Sequence, residues 1–145
     1  MFEQRRLAVD AGLAELIQEQ RGLDYRRRYG AGWQSIGYTG QPFPWFESTY
    51  RAVEAEAGSI DTWWFNANLQ GEGTGWHSHS QWARVGVLYV QVPAGVIEFK
   101  QGEAYWTESP RAGDLLVFPG SLEHRVRPNT SQAVRISIAF NFKKR

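Results

Sequence analysis

Along residues 135–142 polar and apolar side chains alternate, with Arg135, Ser137, Ala139 and Asn141 on one side and Ile136, Ile138, Phe140 and Phe142 on the other. Successive side chains of an extended chain point to opposite faces, so this pattern predicts a strand with one greasy and one polar face. Runs of strand character fall near 33–38, 60–69, 84–92, 95–100, 104–107, 114–118, 123–128 and 133–143, divided by Gly, Pro, Ser and Asn. Two stretches follow a helical period instead. Val9, Leu13, Leu16 and Ile17 form an amphipathic stripe that predicts a helix over about 9–21, with Asp10 as N-cap and Gly22 as stop. Phe46, Tyr50, Val53 and Ala57 repeat it over 44–57, between Pro44 and Gly58.

Each helix has one apolar face and must bury it against something. The expected arrangement is a mainly β fold with the two helices packed on the outer face of a sheet. The Ile/Phe face of the last strand would lie beneath them, and the Arg/Ser/Asn face would look into a cavity. A guanidinium is tolerated in such an interior only where an anion meets it.

Composition narrows the picture. A chain of 145 residues predicts a single domain over 1–145 without a linker. Seven Trp and fifteen Gly suit a β structure with bulky side chains between tight turns. Sixteen basic against fifteen acidic residues give a formal charge of +1, no field for gripping a polyphosphate backbone, so no nucleic-acid partner is expected. The basic clusters Tyr25–Tyr29 and Lys143–Arg145 read as solvated surface. No window approaches the roughly 20 apolar residues of a membrane span, and no signal-peptide core opens the chain, so the expectation is a cytoplasmic protein without a membrane partner. There is no cysteine, so a metal would have to be held by imidazole, carboxylate or water.

The chain has three histidines, and all fall in one pattern: His77-Ser78-His79, then His124 after Phe118-Pro119-Gly120. Imidazoles at i and i+2 leave the same face of an extended segment and can converge on one ion. The run Gly113–His124 reads as a turn, a buried strand Leu115–Phe118, a second turn, and a histidine opening the next strand. Gly71–Gly75 resembles a phosphate loop only in its glycines; it lacks the P-loop lysine and precedes no helix, and reads as a flexible lip beside the metal. Trp64, Asn66 and Asn68 alternate on the strand before it and, with Trp76, would line the substrate side.

The stretch from Trp63 to Phe142 resembles the Fe(II)/2-oxoglutarate-dependent dioxygenases. The likeness rests on Trp33-Gln-Ser35, His77-x-His79, Gly86–Val90, the Phe118–His124 segment and Arg135–Asn141. It implies a double-stranded β-helix, a jelly-roll or cupin-like barrel. It also implies Fe(II), 2-oxoglutarate and O2 as the cofactor set, and hydroxylation of a small-molecule or peptide substrate. Carried over by position, His77 and His124 would ligate iron, while Arg135 and Ser137 would hold the far carboxylate of 2-oxoglutarate and Tyr89 could add a hydroxyl.

The departure is at His79, where the family's facial triad has a carboxylate. Either His79 is the third ligand or it lies near the metal while water completes the shell. Glu98, Glu103 and Asp114 are the nearest later acids. Three other readings stay open. A metal-binding cupin enzyme would use Gly71–His79 and Gly113–Pro119 as its two motifs, but leaves Arg135 without a task. Three histidines and a water would also form a zinc hydrolase or hydratase. A non-catalytic barrel binding a small ligand is the last.

Overall fold

The computed structural model describes residues 2–21 and 32–144; the expected helix stop at Gly22, the Tyr25–Tyr29 cluster and Arg145 lie outside them. Among the described residues nine strands and two helices follow in the order β1 (Glu3–Arg6), α1 (Leu13–Arg21), β2 (Trp33–Gln34), α2 (Glu47–Ala57), β3 (Ile60–Asn68), β4 (Arg84–Gln91), β5 (Ile97–Gln101), β6 (Ala104–Glu108), β7 (Asp114–Pro119), β8 (Glu123–Val126) and β9 (Arg135–Phe142). They form a six-stranded sheet, β1-β7-β4-β9-β3-β2, and a three-stranded sheet, β6-β5-β8. All pairings are antiparallel. No helix among the described residues is long and apolar enough to cross a membrane.

The apolar positions sort into two cores. Ile136, Ile138, Phe140 and Phe142 of β9 share the larger one with Leu13 and Ile17 of α1 and with Phe46, Tyr50, Val53 and Ala57 around α2. The smaller core holds Tyr89, Ile97, Phe99, Leu116 and Phe118, drawn from both sheets. β7 therefore has apolar neighbours on both faces, Leu115 and Val117 toward one core and Leu116 and Phe118 toward the other, which explains its unbroken apolar run.

Both helices start later than their stripes predict. At α1, Asp10 caps with its backbone, its carbonyl accepting from Leu13 N at 3.2 Å. At α2, Pro44 opens a turn before Glu47, and Gly58, at φ 107°, ends the helix with its N–H on the Glu54 carbonyl. Only glycine takes that φ without strain.

Two strand expectations change. The run expected at 33–38 pairs only at Trp33–Gln34, then loops, because the Ser35 hydroxyl accepts from Phe65 N at 2.9 Å; a bridge between Tyr38 and Trp63 resumes contact. β1 carries no apolar alternation and was not expected as a strand. It pairs Glu3–Arg6 with Val117–Asp114 through backbone and the Arg6–Asp114 ion pair at 2.8 Å, and its charged side chains face outward as suits a sheet edge. Phe2, just before it, packs edge-on to Phe99 at 5.3 Å.

Candidate active site

His77 and His124 come together through the backbone. They form an isolated antiparallel bridge, each N–H donating to the other's carbonyl at 3.0 Å, and their ring centroids lie 4.3 Å apart. His79 stands 5.2 Å from His77 and 5.4 Å from His124. Ligand nitrogens of the three rings all lie within 4.8 Å of one another, and among the described residues no carboxylate joins the cluster.

The tautomers follow from the carbonyls. Nδ1 of His77 is 2.8 Å from the Gly75 carbonyl and Nδ1 of His124 is 3.0 Å from the Leu122 carbonyl. A carbonyl only accepts, so Nδ1 carries the proton in both and the ring lone pair sits on Nε2. Burial, then the neighbouring His77 and His79, hold the His124 pKa down to about 3. Burial also lowers that of His77, against the pull of the Gly75 carbonyl. A neutral imidazole is the form a metal requires.

His79 is placed by the turn after β7. Its N–H donates to the Gly120 carbonyl at 2.7 Å, and its own carbonyl accepts from Trp82 N at 2.9 Å. A side chain at residue 120 would run into the carbonyl oxygens of both Trp82 and His79, so only glycine lets the two segments touch. The expected flexible lip is laced down instead. Thr74 N donates to the Val126 carbonyl, Val126 N donates to Thr74 Oγ1, both at 2.9 Å, and Asn129 N donates to the Glu72 carbonyl.

Arg135, 2% exposed, lines the same cavity as the rings. Its guanidinium donates to Asn68 Oδ1 at 3.2 Å and to the carbonyls of Glu72 at 3.3 Å and Ala94 at 3.4 Å, all neutral acceptors. Burial lowers its pKa, with Tyr89 opposing. Gly95 covers its aliphatic stem, since a Cβ there would approach Arg135 Cδ to 3.1 Å. The register sets Asn66 and Tyr89 on either side of Ser137, across three adjacent strands. Asn66 Nδ2 donates to Ser137 Oγ at 3.3 Å, and the buried Tyr89 hydroxyl has no hydrogen-bond partner among the described residues. The cavity has a volume of about 60 Å³, room for a few waters or part of a small organic acid.

The expected substrate-side residues divide. Trp64 faces the cavity, its ring 5.6 Å from His79, and Asn66 lines it too. Asn68 also lines it but is the acceptor that orients Arg135, a role that its alternation with Asn66 did not reveal. Trp76 does not line the cavity. It packs on the outer face of the small sheet, 4.4 Å from Lys100 Nζ and 4.7 Å from Arg125 Cζ, because the residue before an inward-facing histidine faces outward.

The acids are engaged elsewhere. Glu98 is held by Arg125 Nε at 2.7 Å and by Arg127, Asp114 accepts from Arg6 and from Arg111 N, both at 2.8 Å, and Glu103 is exposed on the β5–β6 turn. The Arg125 guanidinium first, against the cost of burial, lowers the Glu98 pKa to about 2.

Residues 97–141 match the family described as "Putative 2OG-Fe(II) oxygenase". No curated protein matches the chain. Among solved structures, a prolyl-4-hydroxylase from Pseudomonas putida is 15% identical with a TM-score of 0.76, covering 99% of this chain and 92% of its own. A 2OG-Fe(II) oxygenase-family oxidoreductase from Burkholderia pseudomallei is 14% identical with a TM-score of 0.67, covering 97% and 82%. Oxalate decarboxylase from Lactobacillus farciminis is 18% identical with a TM-score of 0.56, over 81% of this chain and 31% of that one. At these identities the structural likeness is one of fold. The family match covers 45 of the 145 residues, the stretch that carries His124, Arg135 and Ser137, and there the chain is similar to the Fe(II)/2-oxoglutarate-dependent oxygenases.

Proposed function

We propose that the chain is a single double-stranded β-helix domain, with the two helices on its outer face. In this reading it is an Fe(II)/2-oxoglutarate-dependent dioxygenase hydroxylating a small-molecule or peptide substrate. One observation carries the reading: a buried guanidinium whose partners among the described residues are all neutral shares a cavity with three convergent imidazoles. An imidazole cluster alone fits zinc equally well. A cavity that also holds an uncompensated cation fits an anion beside the metal, and the orphaned Tyr89 hydroxyl is a further donor for it.

His77, His79 and His124 would hold the iron, and Arg135, Ser137 and Tyr89 the distal carboxylate of the diacid. Bound there, iron, 2-oxoglutarate and O2 supply oxidative decarboxylation to succinate and CO2 coupled to hydroxylation of a C–H bond. The protein's part is positioning. Asn68 and the Ala94 and Glu72 carbonyls hold the Arg135 fork in place. The Gly75 and Leu122 carbonyls fix the two Nδ1–H tautomers. Phe118, 5.0 Å from the His124 ring, keeps water from its buried side. With His79 as third ligand, the set is neutral and leaves the metal one unit more positive than a two-histidine, one-carboxylate triad does.

Anaerobic addition of Fe(II) and 2-oxoglutarate should give a weak visible charge-transfer band. His124→Ala should lose both metal and band, whereas Arg135→Ala should keep the metal and lose the band. His79→Asp should retain iron and lower its reduction potential. No band in the wild type, with zinc bound tightly, would turn the assignment to a zinc hydrolase.

A further inference from the structure

The His77–His124 bridge is isolated: the next backbone contact on one side is Thr74 with Val126, and on the other His79 turns away to Gly120. Continuous strand pairing therefore does not flank the two ligands, which must stay within reach of one ion. The antiparallel register that sets His77 opposite His124 also sets Trp76 opposite Arg125, on the outer face. There Arg125 Cζ lies 4.7 Å from the Trp76 ring centre and Lys100 Nζ 4.4 Å from it. Neither cation is loose. Arg125 Nε is bonded to the buried Glu98 carboxylate at 2.7 Å, Lys100 Nζ stands 3.6 Å from Glu123 Oε2, and Tyr105 meets the indole edge-on at 6.4 Å.

We propose that Trp76, seated on Arg125 and Lys100, is a positioning clamp that closes the His77–His124 pair from outside and so sets metal affinity. The proposal rests on the reading of those imidazoles as metal ligands. The indole face attracts cations, and these two are anchored to the small sheet that carries His124. The clamp therefore ties the segment bearing one ligand to the sheet bearing the other. Leucine at residue 76 would keep an apolar body but lose the ring face; tyrosine would keep a face.

The test uses Co(II) alone as probe on the full chain, with the ring-to-ring nuclear Overhauser contact of His77 and His124 in the metal-free protein as a second readout. Trp76→Leu should weaken Co(II) about tenfold, in the range typical of groups that orient ligands, and lose the ring contact. Trp76→Tyr should restore most of both. Lys100→Met, at a surface position that leaves the Glu98–Arg125 pair intact, should give a smaller loss in the same direction without lowering the melting temperature. Unchanged Co(II) affinity and ring contact in Trp76→Leu and Lys100→Met would overturn the clamp. So would losses that track melting temperature alone and that Trp76→Tyr fails to restore. A wild type that takes no Co(II), yet loses its ring contact on Trp76→Leu, would defeat the metal assignment while leaving the clamp standing.

Discussion

His77 and His124 exchange both of their backbone hydrogen bonds at 3.0 Å, so the main chain brings the two rings side by side before any ion arrives. A site prepared in this way should lose its metal when either ring is removed and keep its fold. His77→Ala and His124→Ala should each weaken Fe(II) by more than about 100-fold, beyond the loss typical of groups that only orient a ligand, with far-UV circular dichroism unchanged. Anaerobic metal titration checks it.

Arg135 should separate function from stability. A buried charge met by neutral acceptors among the described residues costs desolvation that those hydrogen bonds do not fully offset. Arg135→Met should therefore abolish 2-oxoglutarate binding while stabilising the ligand-free protein by about 1 kcal/mol, roughly 3 °C in melting temperature for a chain this size. Arg135→Lys should also fail to bind the diacid, since a point charge does not reproduce the planar fork. Calorimetric titration and thermal melts give the two readouts.

Gly120→Ala should be among the most damaging single-methyl additions, because the new carbon collides with backbone oxygens that cannot swing aside. A loss of about 3 kcal/mol or more is expected, at the upper end of overpacking costs. The displaced carbonyls belong to Trp82 and His79, so metal affinity should fall further than in an equally destabilised core variant. Denaturant unfolding paired with metal titration tests this.

Glu98 sets an acid limit. Its folded-state pKa, about 2, lies below the ordinary 4.5, so its contribution is complete above about pH 5 and is lost as pH falls toward 2, where the folded carboxylate takes up its proton. Glu98→Gln should lower the melting temperature at pH 7 and flatten its fall between pH 5 and 2. A parallel fall in variant and wild type would show the pair to be inert.

Much of this was readable from residue order. The alternation in β9 specified which side chains faced the helices and which faced the cavity, because a one-residue slip would have put the polar set into the apolar core beneath the helices. The i, i+2 spacing of His77 and His79 announced a shared face. β1 was hidden because an edge strand bonds through backbone and carries Glu-Gln-Arg-Arg, a pattern chosen against edge pairing rather than for burial. Trp76 was misassigned because proximity in sequence to His77 suggested proximity to its chemistry, whereas the pleat sends neighbours to opposite sides. Asn68 and Gly95 became meaningful only once Arg135 had a place, since neither residue type announces a guanidinium partner.

A guanidinium stored without an acid also links the lifetime of the protein to its surroundings. Any dicarboxylate that enters the folded cavity and ignores the unfolded chain deepens the native well as its concentration rises. In the proposed reading that dicarboxylate is a central metabolite. The share of chains open to proteolysis would then rise as the supply of carbon skeletons runs down, and the amount of enzyme would follow the nutritional state of its surroundings with no dedicated sensor.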